Sequence, residues 1–527
     1  MTIETEIAQR RTLAIISHPD AGKTTLTEKF LLYGGAVQLA GSVTARRKEQ
    51  NTTSDWMELE RQRGISVNST VLQFDYGGYH VNLLDTPGHK DFSEDTYRVL
   101  MAVDAVIMVL DAAKGIESQT LKLFEICRMK QIPIFTFINK LDRPSMEPLA
   151  VLDAIERSLH LHTYPVNWPL GTGTDFKGVI DRRRKQLHFF ERVPGGAYVA
   201  PVTVVDRIDA EISGRLSPDA LGQVLEELSV LDEAGERFDA AAVLSGDLTP
   251  VFFGSAMNNF GVQMLLDGFL ELSPPPRAQR SKAGLIAPND ARFSGFVFKI
   301  QSNMDPRHRD QIAFMRVCSG RFERDMKVIH ARTGSSIRVS SSHKVLGRER
   351  ETMDEAYAGD IIGIVGHSEF RIGDTLTQDA AIVYREVPRF TPEHFAYLHC
   401  ADTMQIKRFR TGLEHLLQEG VVQTFSLRGA SSRLALLGAV GPLQFEVLRH
   451  RLLSEYGADS RFEAAPWAIV RWVGKDSAGV VAESLLPAGA RLADDPDGNL
   501  VILFAQAWEC EFFMERHPKI PLSKVPI

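Results

Sequence analysis

The sequence predicts an α/β chain in three parts. First comes a P-loop domain on a doubly wound sheet, carrying an inserted subdomain; a small β-barrel and an α+β split βαβ (ferredoxin-like) sandwich follow. Three observations predict this. The nonapeptide Ser-His-Pro-Asp-Ala-Gly-Lys-Thr-Thr at 17–25 stands between an apolar run and a helix-forming run. Strand and helix patterns then alternate as far as Asp142, with polar motifs at successive strand ends. Beyond Ser273-Pro274-Pro275-Pro276-Arg277 the hydrophobic period changes to two, and it changes again near Phe390.

Length and composition bound the rest. A chain of 527 residues is long for one core and predicts about three domains. With 44% apolar and 24% charged residues it has the make-up of an ordinary globular protein. The formal net charge is -7, so no global field draws it to nucleic acid or to an anionic membrane, and any RNA contact has to be local. The longest apolar run, Val99 to Leu110, is short and broken by Asp104, and the N-terminus has no signal-type segment. No membrane association is expected, and the location expected is cytoplasmic. Cys127, Cys318, Cys400 and Cys510 lie too far apart for a disulfide framework or a zinc site and are expected to fill apolar positions as small hydrophobes.

The apolar run Leu13 to Ile16 reads as a strand, and Thr24 to Tyr33 as a helix that stops at Gly34 and Gly35. Strand, loop, helix is the context a phosphate loop requires. Ser17, His18, Pro19, Asp20, Ala21, Gly22, Lys23, Thr24 and Thr25 are accordingly the expected phosphate-binding residues. Backbone N–H groups curl around the phosphates, Gly22 lets the backbone approach, and Lys23 supplies a charge. Thr24 is expected to hold Mg²⁺ through its hydroxyl. Ser17 stands where glycine is usual. The plain alternative is an ordinary helix start.

The segment from Gln38 to Asn68 is polar, long and without clear periodicity, which reads as a switch loop. Ser66 is the candidate Mg²⁺ ligand in it; the other reading is that it only begins the strand Val67 to Phe74. Arg46, Arg47 and Lys48 are either a solvated face or an RNA contact. The turn Tyr76-Gly77-Gly78-Tyr79 leads to the strand Val81 to Leu84 and to Asp85-Thr86-Pro87-Gly88-His89. Asp85, at a buried strand end, is expected to hold Mg²⁺ through water, with Thr86, Pro87 and Gly88 beside the last phosphate. His89 is the candidate catalytic residue, holding an attacking water in line; its plain alternative is a surface hydrogen bond.

A helix is expected over Asp91 to Met101, a strand over Ala105 to Leu110, a helix over Ser118 to Met129 and a strand over Ile134 to Ile138. That strand ends in Asn139-Lys140-Leu141-Asp142. A carboxylate at Asp142 can accept from both the ring N–H and the exocyclic amine of guanine, a pattern adenine does not offer. Lys140 is expected along the base face. Ser255 and Ala256, after the apolar run Val251 to Phe253, are expected to offer backbone N–H groups to the guanine oxygen.

These motifs, in this order, resemble the G domain of translational GTPases. The wording of residues 17–25, of Asp55-Trp56-Met57-Glu58-Leu59-Glu60-Arg61-Gln62-Arg63-Gly64-Ile65-Ser66 and of Asp85 to His89 resembles the release factor 3 family within the elongation factor G-like group. Elongation factor G usually has threonine where this chain has Ser66. The resemblance implies GTP/GDP and Mg²⁺ as cofactors and hydrolysis stimulated by the ribosome. It implies contacts with ribosomal RNA and stalk proteins, and release of class I release factors after peptide release by a chain monomeric off the ribosome. The expected domains are 1–280, with the insert at about 164–242, then 290–388 and 389–527.

Within the insert, a strand pair around Gly178 to Glu191 carries Arg182, Arg183, Arg184 and Lys185 at its turn, and a helix is expected over Pro218 to Ala234. Strands at Phe296–Ile300, Ile312–Val317, Lys327–Ala331 and Ile361–Val365 build the barrel. The order strand Phe395–Leu398, helix Met404–Gln418, strands Val421–Phe425 and Leu434–Ala439, helix Pro442–Tyr456, strand Arg461–Ala464 builds the sandwich. Lys407, Arg408 and Arg410 are either RNA contacts or an exposed helix face. With no room seen beyond this domain for a reach to the decoding site, a translocase is disfavoured. No arginine stands out as a finger in cis, so slow intrinsic hydrolysis is expected. The alternative function is a GTP-dependent ribosome-binding or assembly factor without a termination role; a P-loop kinase is disfavoured by Asn139 to Asp142.

Overall fold

The computed structural model describes residues 2–36, 68–191, 198–205, 214, 218–304, 310–346, 349–384, 390–429 and 435–525. Ser66 and the triplet at 46–48 lie outside the described residues.

In the first domain, α1 (Ile3–Ala8) leads into β1 (Arg10–Ser17), which is buried along its whole length. Leu13 and Ile15 pack into one core and Ala14 and Ile16 into another, so the strand's period of two serves two layers of helices. α2 (Lys23–Tyr33), β2 (Thr70–Tyr76), β3 (Tyr79–Asp85), α3 (Ser93–Met101) and β4 (Ala105–Asp111) follow. Next come α4 (Ser118–Met129), β5 (Ile134–Asn139), α5 (Pro148–Leu159) and β6 (His162–Pro165). Pro148 opens α5, where its missing N–H costs no helical bond, and His160 closes it in the left-handed region.

The chain then leaves the main sheet for β7 (Asn167–Leu170), β8 (Gly178–Asp181), β9 (Gln186–Phe190) and β10 (Val202–Val205), which form a separate antiparallel sheet. Behind it run α6 (Pro218–Glu233) and α7 (Ala240–Ser245), and β11 (Leu248–Phe253) and α8 (Val262–Leu272) return to the main sheet. The main sheet has the order β2-β3-β1-β4-β5-β11-β6, antiparallel only at β2–β3. Tyr164, the expected start of the insert, therefore lies in the edge strand of the main sheet. Of the basic turn in the insert, Arg182 pairs with Asp232 at 2.8 Å, and Arg183 and Arg184 both reach Glu271. Arg182 and Arg183 also lie over the rings of Tyr164 and Phe238. Three cations of that turn are thus engaged within the chain.

Past Leu272 a hairpin that the sequence did not announce, Gln279–Ser281 with Gly284–Ile286, precedes the barrel-type domain. Its long strands, Ser294–Ser302 and Gln311–Ser319, pair antiparallel across two bulges. Val297, Ala313 and Met315 face this domain's own core, whereas Phe296, Phe298, Ile312 and Phe314 join the core of the first domain. Arg316 seals the joint at 2.5 Å from Asp104, and Arg10 reaches Asp360 at 2.7 Å.

The last domain has the expected order: His394–Cys400, α9 (Ile406–Gln418), Gln423–Leu427, Ala435–Ala439, α10 (Pro442–Tyr456) and Ser460–Ala464. Its sheet then continues through Arg491–Asp494, Leu500–Phe504, Ile469–Val473 and Leu522–Ser523, with α11 (Ala507–Arg516) beside it. All three domains meet at Glu419. Its carboxylate accepts from Arg451, fully buried, and from the Ser302 N–H of the barrel, while Arg98 of α3 donates to its carbonyl. Burial pushes the Cys127 and Cys318 thiols up to about 12, consistent with inert packing residues.

Candidate active site

Strand ends bring the site together. β1, β3, β4 and β5 run parallel, so the segments after Ser17, Asp85, Asp111 and Asn139 emerge along one edge of the sheet. The loop after β1 turns through Asp20 (φ 66°) and Gly22 (φ 101°) into α2. A side chain at Gly22 would lie 2.2 Å from Asn139 Nδ2, so glycine is required there by backbone and by space. Ala21 N–H donates to His18 O, and His18 Nε2 lies 3.1 Å from Glu117. A side chain at Gly88 would reach van der Waals range of Pro19, and Thr86 donates to Ile15 O, which seats residues 85–89 against this loop.

Lys23 and Asp85 meet at 2.5 Å, both buried. One cation and one carboxylate thus converge at the first turn of α2, where Thr24 and Thr25 are half-buried. Among the described residues no group of three His, Cys, Asp or Glu side chains could hold a metal. One hydroxyl and one carboxylate fit Mg²⁺, which keeps several waters and is usually completed by phosphate oxygens. The Gly22 cradle at a helix N-terminus likewise fits a phosphate chain.

Asn139 ties three motifs. Its Nδ2 donates to Ala21 O at 2.8 Å, and its Oδ1 accepts from Ala256 N–H at 2.8 Å. Ser255 N–H goes to Phe260 O at 2.9 Å. Within the chain, the Ala256 amide thus fixes Asn139 while the Ser255 amide closes a bridge to Phe260, and both stand at the end of β11 where the base-binding amides are expected. Lys140, in the left-handed region at φ 69°, donates to Asp20 O and to Asp111 at 2.8 Å. Its charge is held by the phosphate loop, leaving its alkyl stem for a base face. Burial alone would raise the Asp111 carboxyl, but the bond from Lys140 holds it below the usual carboxylate value. Asp142 follows one turn on, half-buried.

His89 is partly exposed and turns its Nδ1 toward Asp91, at 3.3 Å from Oδ1. Glu117, Asp111 and Asp91 complete this edge, and sequence reasoning missed all three as site residues. A carboxylate two positions after a candidate histidine was the available signal for Asp91. Arg98, about two helix turns beyond Asp91, pairs with Glu94 and faces away toward Glu419.

The family model for the elongation factor Tu GTP binding domain matches residues 8–275. Those for elongation factor G domain 2 and for the C-terminal domain of class II release factor RF3 match 292–379 and 384–514. A peptide chain release factor 3 from Cyanothece sp. strain PCC 7425 is 51% identical over 99% of this chain and 96% of its own length. The chain belongs to the peptide chain release factor 3 family. Another member, from Gloeobacter violaceus, is 50% identical over 99% of both chains. The crystal structure of ttk003000868 from Thermus thermophilus shares the fold, with a TM-score of 0.70 at 24% identity over 93% of this chain and 72% of that one. As a release factor 3, the chain is a translational GTPase of termination that takes guanine nucleotide and works with the ribosome. None of its described helices is long and apolar enough to cross a membrane.

Proposed function

We propose that this chain uses GTP, with Mg²⁺, to promote dissociation and recycling of class I release factors from the ribosome after peptide release. The observation that carries this is the release factor C-terminal domain, matched over 384–514, seated directly on the segment after Asp85. What happens at the nucleotide is thereby one residue contact from the domain that distinguishes the family.

Residues 17–25 would hold the phosphates, with Lys23 the charge on the outer ones and Thr24, Asp85 and Ser66 the protein side of the metal site. When bound, Mg²⁺ supplies neutralisation of charge on the phosphate oxygens. Gly88 orients its N–H toward the last phosphate, and His89 holds the water in line. Asp142 selects guanine, supported by Asn139 and by the stem of Lys140. The protein works in the cytoplasm and touches the ribosomal stalk through the insert.

The test is release of a labelled class I release factor from ribosomes after peptide hydrolysis, with GTP, with a non-hydrolysable analogue, and without this protein. Faster dissociation only with protein and guanine nucleotide together is the expected result. A release factor that stays bound while ribosomes still stimulate GTP hydrolysis would remove the ejection role and leave a GTP-dependent ribosome-binding factor.

A further inference from the structure

We infer that Asp91 is the positioning residue of His89, and that it holds the imidazole in place only while α10 of the C-terminal domain is docked upon it. This rests on the reading of His89 as the residue that holds the water.

Asp91 is 2% exposed and has two different neighbours for its two oxygens. Oδ2 accepts the Leu443 N–H at 3.0 Å. Leu443 is the second residue of α10, a helix of 15 residues whose first N–H groups have no partner within the helix. A carboxylate there is stabilised both by that bond and by the helix dipole. Oδ1 makes no hydrogen bond among the described residues and faces His89 Nδ1 at 3.3 Å. A buried carboxylate oxygen left without a donor is costly, and the nearest group able to supply one is the imidazole. The Asp91 main-chain N–H, 3.3 Å from the same ring nitrogen, donates to it only while that nitrogen carries no proton, so satisfying the buried Oδ1 means exchanging that bond for one from a protonated Nδ1. Both contacts engage the Nδ1 side, so Nε2 is the nitrogen left for water.

The carboxylate sets the tautomer as well as the position. A proton on Nδ1 shared with Oδ1 leaves a lone pair on Nε2, the state able to accept from water. Two further features tie this arrangement to docking. A side chain at Gly441 would come 2.1 Å from Asp91 Cγ, so only glycine lets the helix end approach. Phe92 packs with Val447, Val421 and Leu443 in an apolar cluster bridging the two domains. Withdrawal of α10 would free Oδ2 and expose Phe92, and the carboxylate would no longer be aimed at His89.

The experiment compares Asp91→Asn, Gly441→Ala and His89→Ala in the full-length protein. It measures GTP affinity, turnover on 70S ribosomes at saturating GTP, and the ¹⁵N shifts of the His89 ring. Asparagine can keep the bond from Leu443 but presents an NH₂ to Nδ1, which forces the proton to Nε2. Asp91→Asn is expected to lower ribosome-stimulated kcat roughly tenfold to a hundredfold, the scale of a misplaced reacting group, with KM and GTP affinity within about twofold and the ring shifts inverted. Gly441→Ala is expected to lower kcat similarly with both His89 and Asp91 intact. If Asp91→Asn turns over at the wild-type rate while His89→Ala does not, the role of Asp91 falls and that of His89 stands. If His89→Ala is also unaffected, the reading beneath it fails. Wild-type turnover of Gly441→Ala would sever the link to docking. Loss of GTP affinity together with turnover would show Asp91 to be only structural, and overturn the inference.

Discussion

Lys299, buried in the barrel, donates to both the carbonyl and the hydroxyl oxygen of Ser69, the first residue after the segment expected to be a switch loop. Asp95 of α3 takes the N–H of the same serine at 2.7 Å. Ser69 is thus held from two sides, by the barrel and by the helix that follows His89. Hydrogen bonds to a charged group contribute about 1.5–3 kcal/mol each, so Lys299→Met should cost on the order of 2 kcal/mol of stability in urea unfolding. Unchanged stability would mean that the barrel does not hold this residue.

Gly22→Ala should destroy nucleotide binding while the protein still folds. A non-glycine residue at φ 101° costs roughly 1–2 kcal/mol, and the new methyl group would displace Asn139, which fixes both the phosphate loop and Ala256. Titration with a fluorescent guanine nucleotide checks this; binding within a factor of two of wild type would mean that the loop relaxes freely.

Asp142→Asn should reverse base preference. The amide offers a donor where the carboxylate accepted, so GTP should weaken by roughly tenfold or more and XTP should gain. Competition between the two nucleotides gives the answer directly, and a retained preference for GTP would remove Asp142 from recognition.

Lys29, buried in α2, gives a pH signature. Burial lowers its ammonium to about 8, against an ordinary 10.5, despite the opposing charge of Glu28. Below pH 8 both folded and unfolded chains carry the proton, and the burial penalty is fully present. Between about 8 and 10.5 the unfolded chain binds more protons, so stability rises with pH. Lys29→Met should therefore be more stable than wild type by on the order of 2 kcal/mol at pH 7, and the gap should close toward pH 10.5. A gap independent of pH would assign the difference to packing.

The sequence shows the parts of the site whose chemistry is contiguous. Residues 17–25, 85–89 and 139–142 each carry turn, charge and spacing in one short stretch, and parallel strands bring their ends together without further instruction. Ser255 and Ala256 do lie beside Asn139, but a sequence does not say which acceptor an amide will find. Asp91 reads only as the start of a helix because its second partner, Leu443, lies 352 residues away. The hairpin at 279–286 escapes notice because strands of three residues have too few alternations to show a period. Edge strand β6, with Tyr164, reads as part of the insert because four residues beside a proline-containing run fit equally well either way.

The junction at Glu419 has a consequence for how such proteins diversify. Ser302 contributes only its main-chain N–H, so this contact places no demand on the side chain there. Gly420 is different, since φ is 72° and a methyl group would meet the Arg98 guanidinium at 2.5 Å. Across related chains, drift should be purged at 98, 419, 420 and 451. A lineage that loses one of these four should have lost or rebuilt the others, so that the three domains are inherited as one unit and resist exchange by recombination.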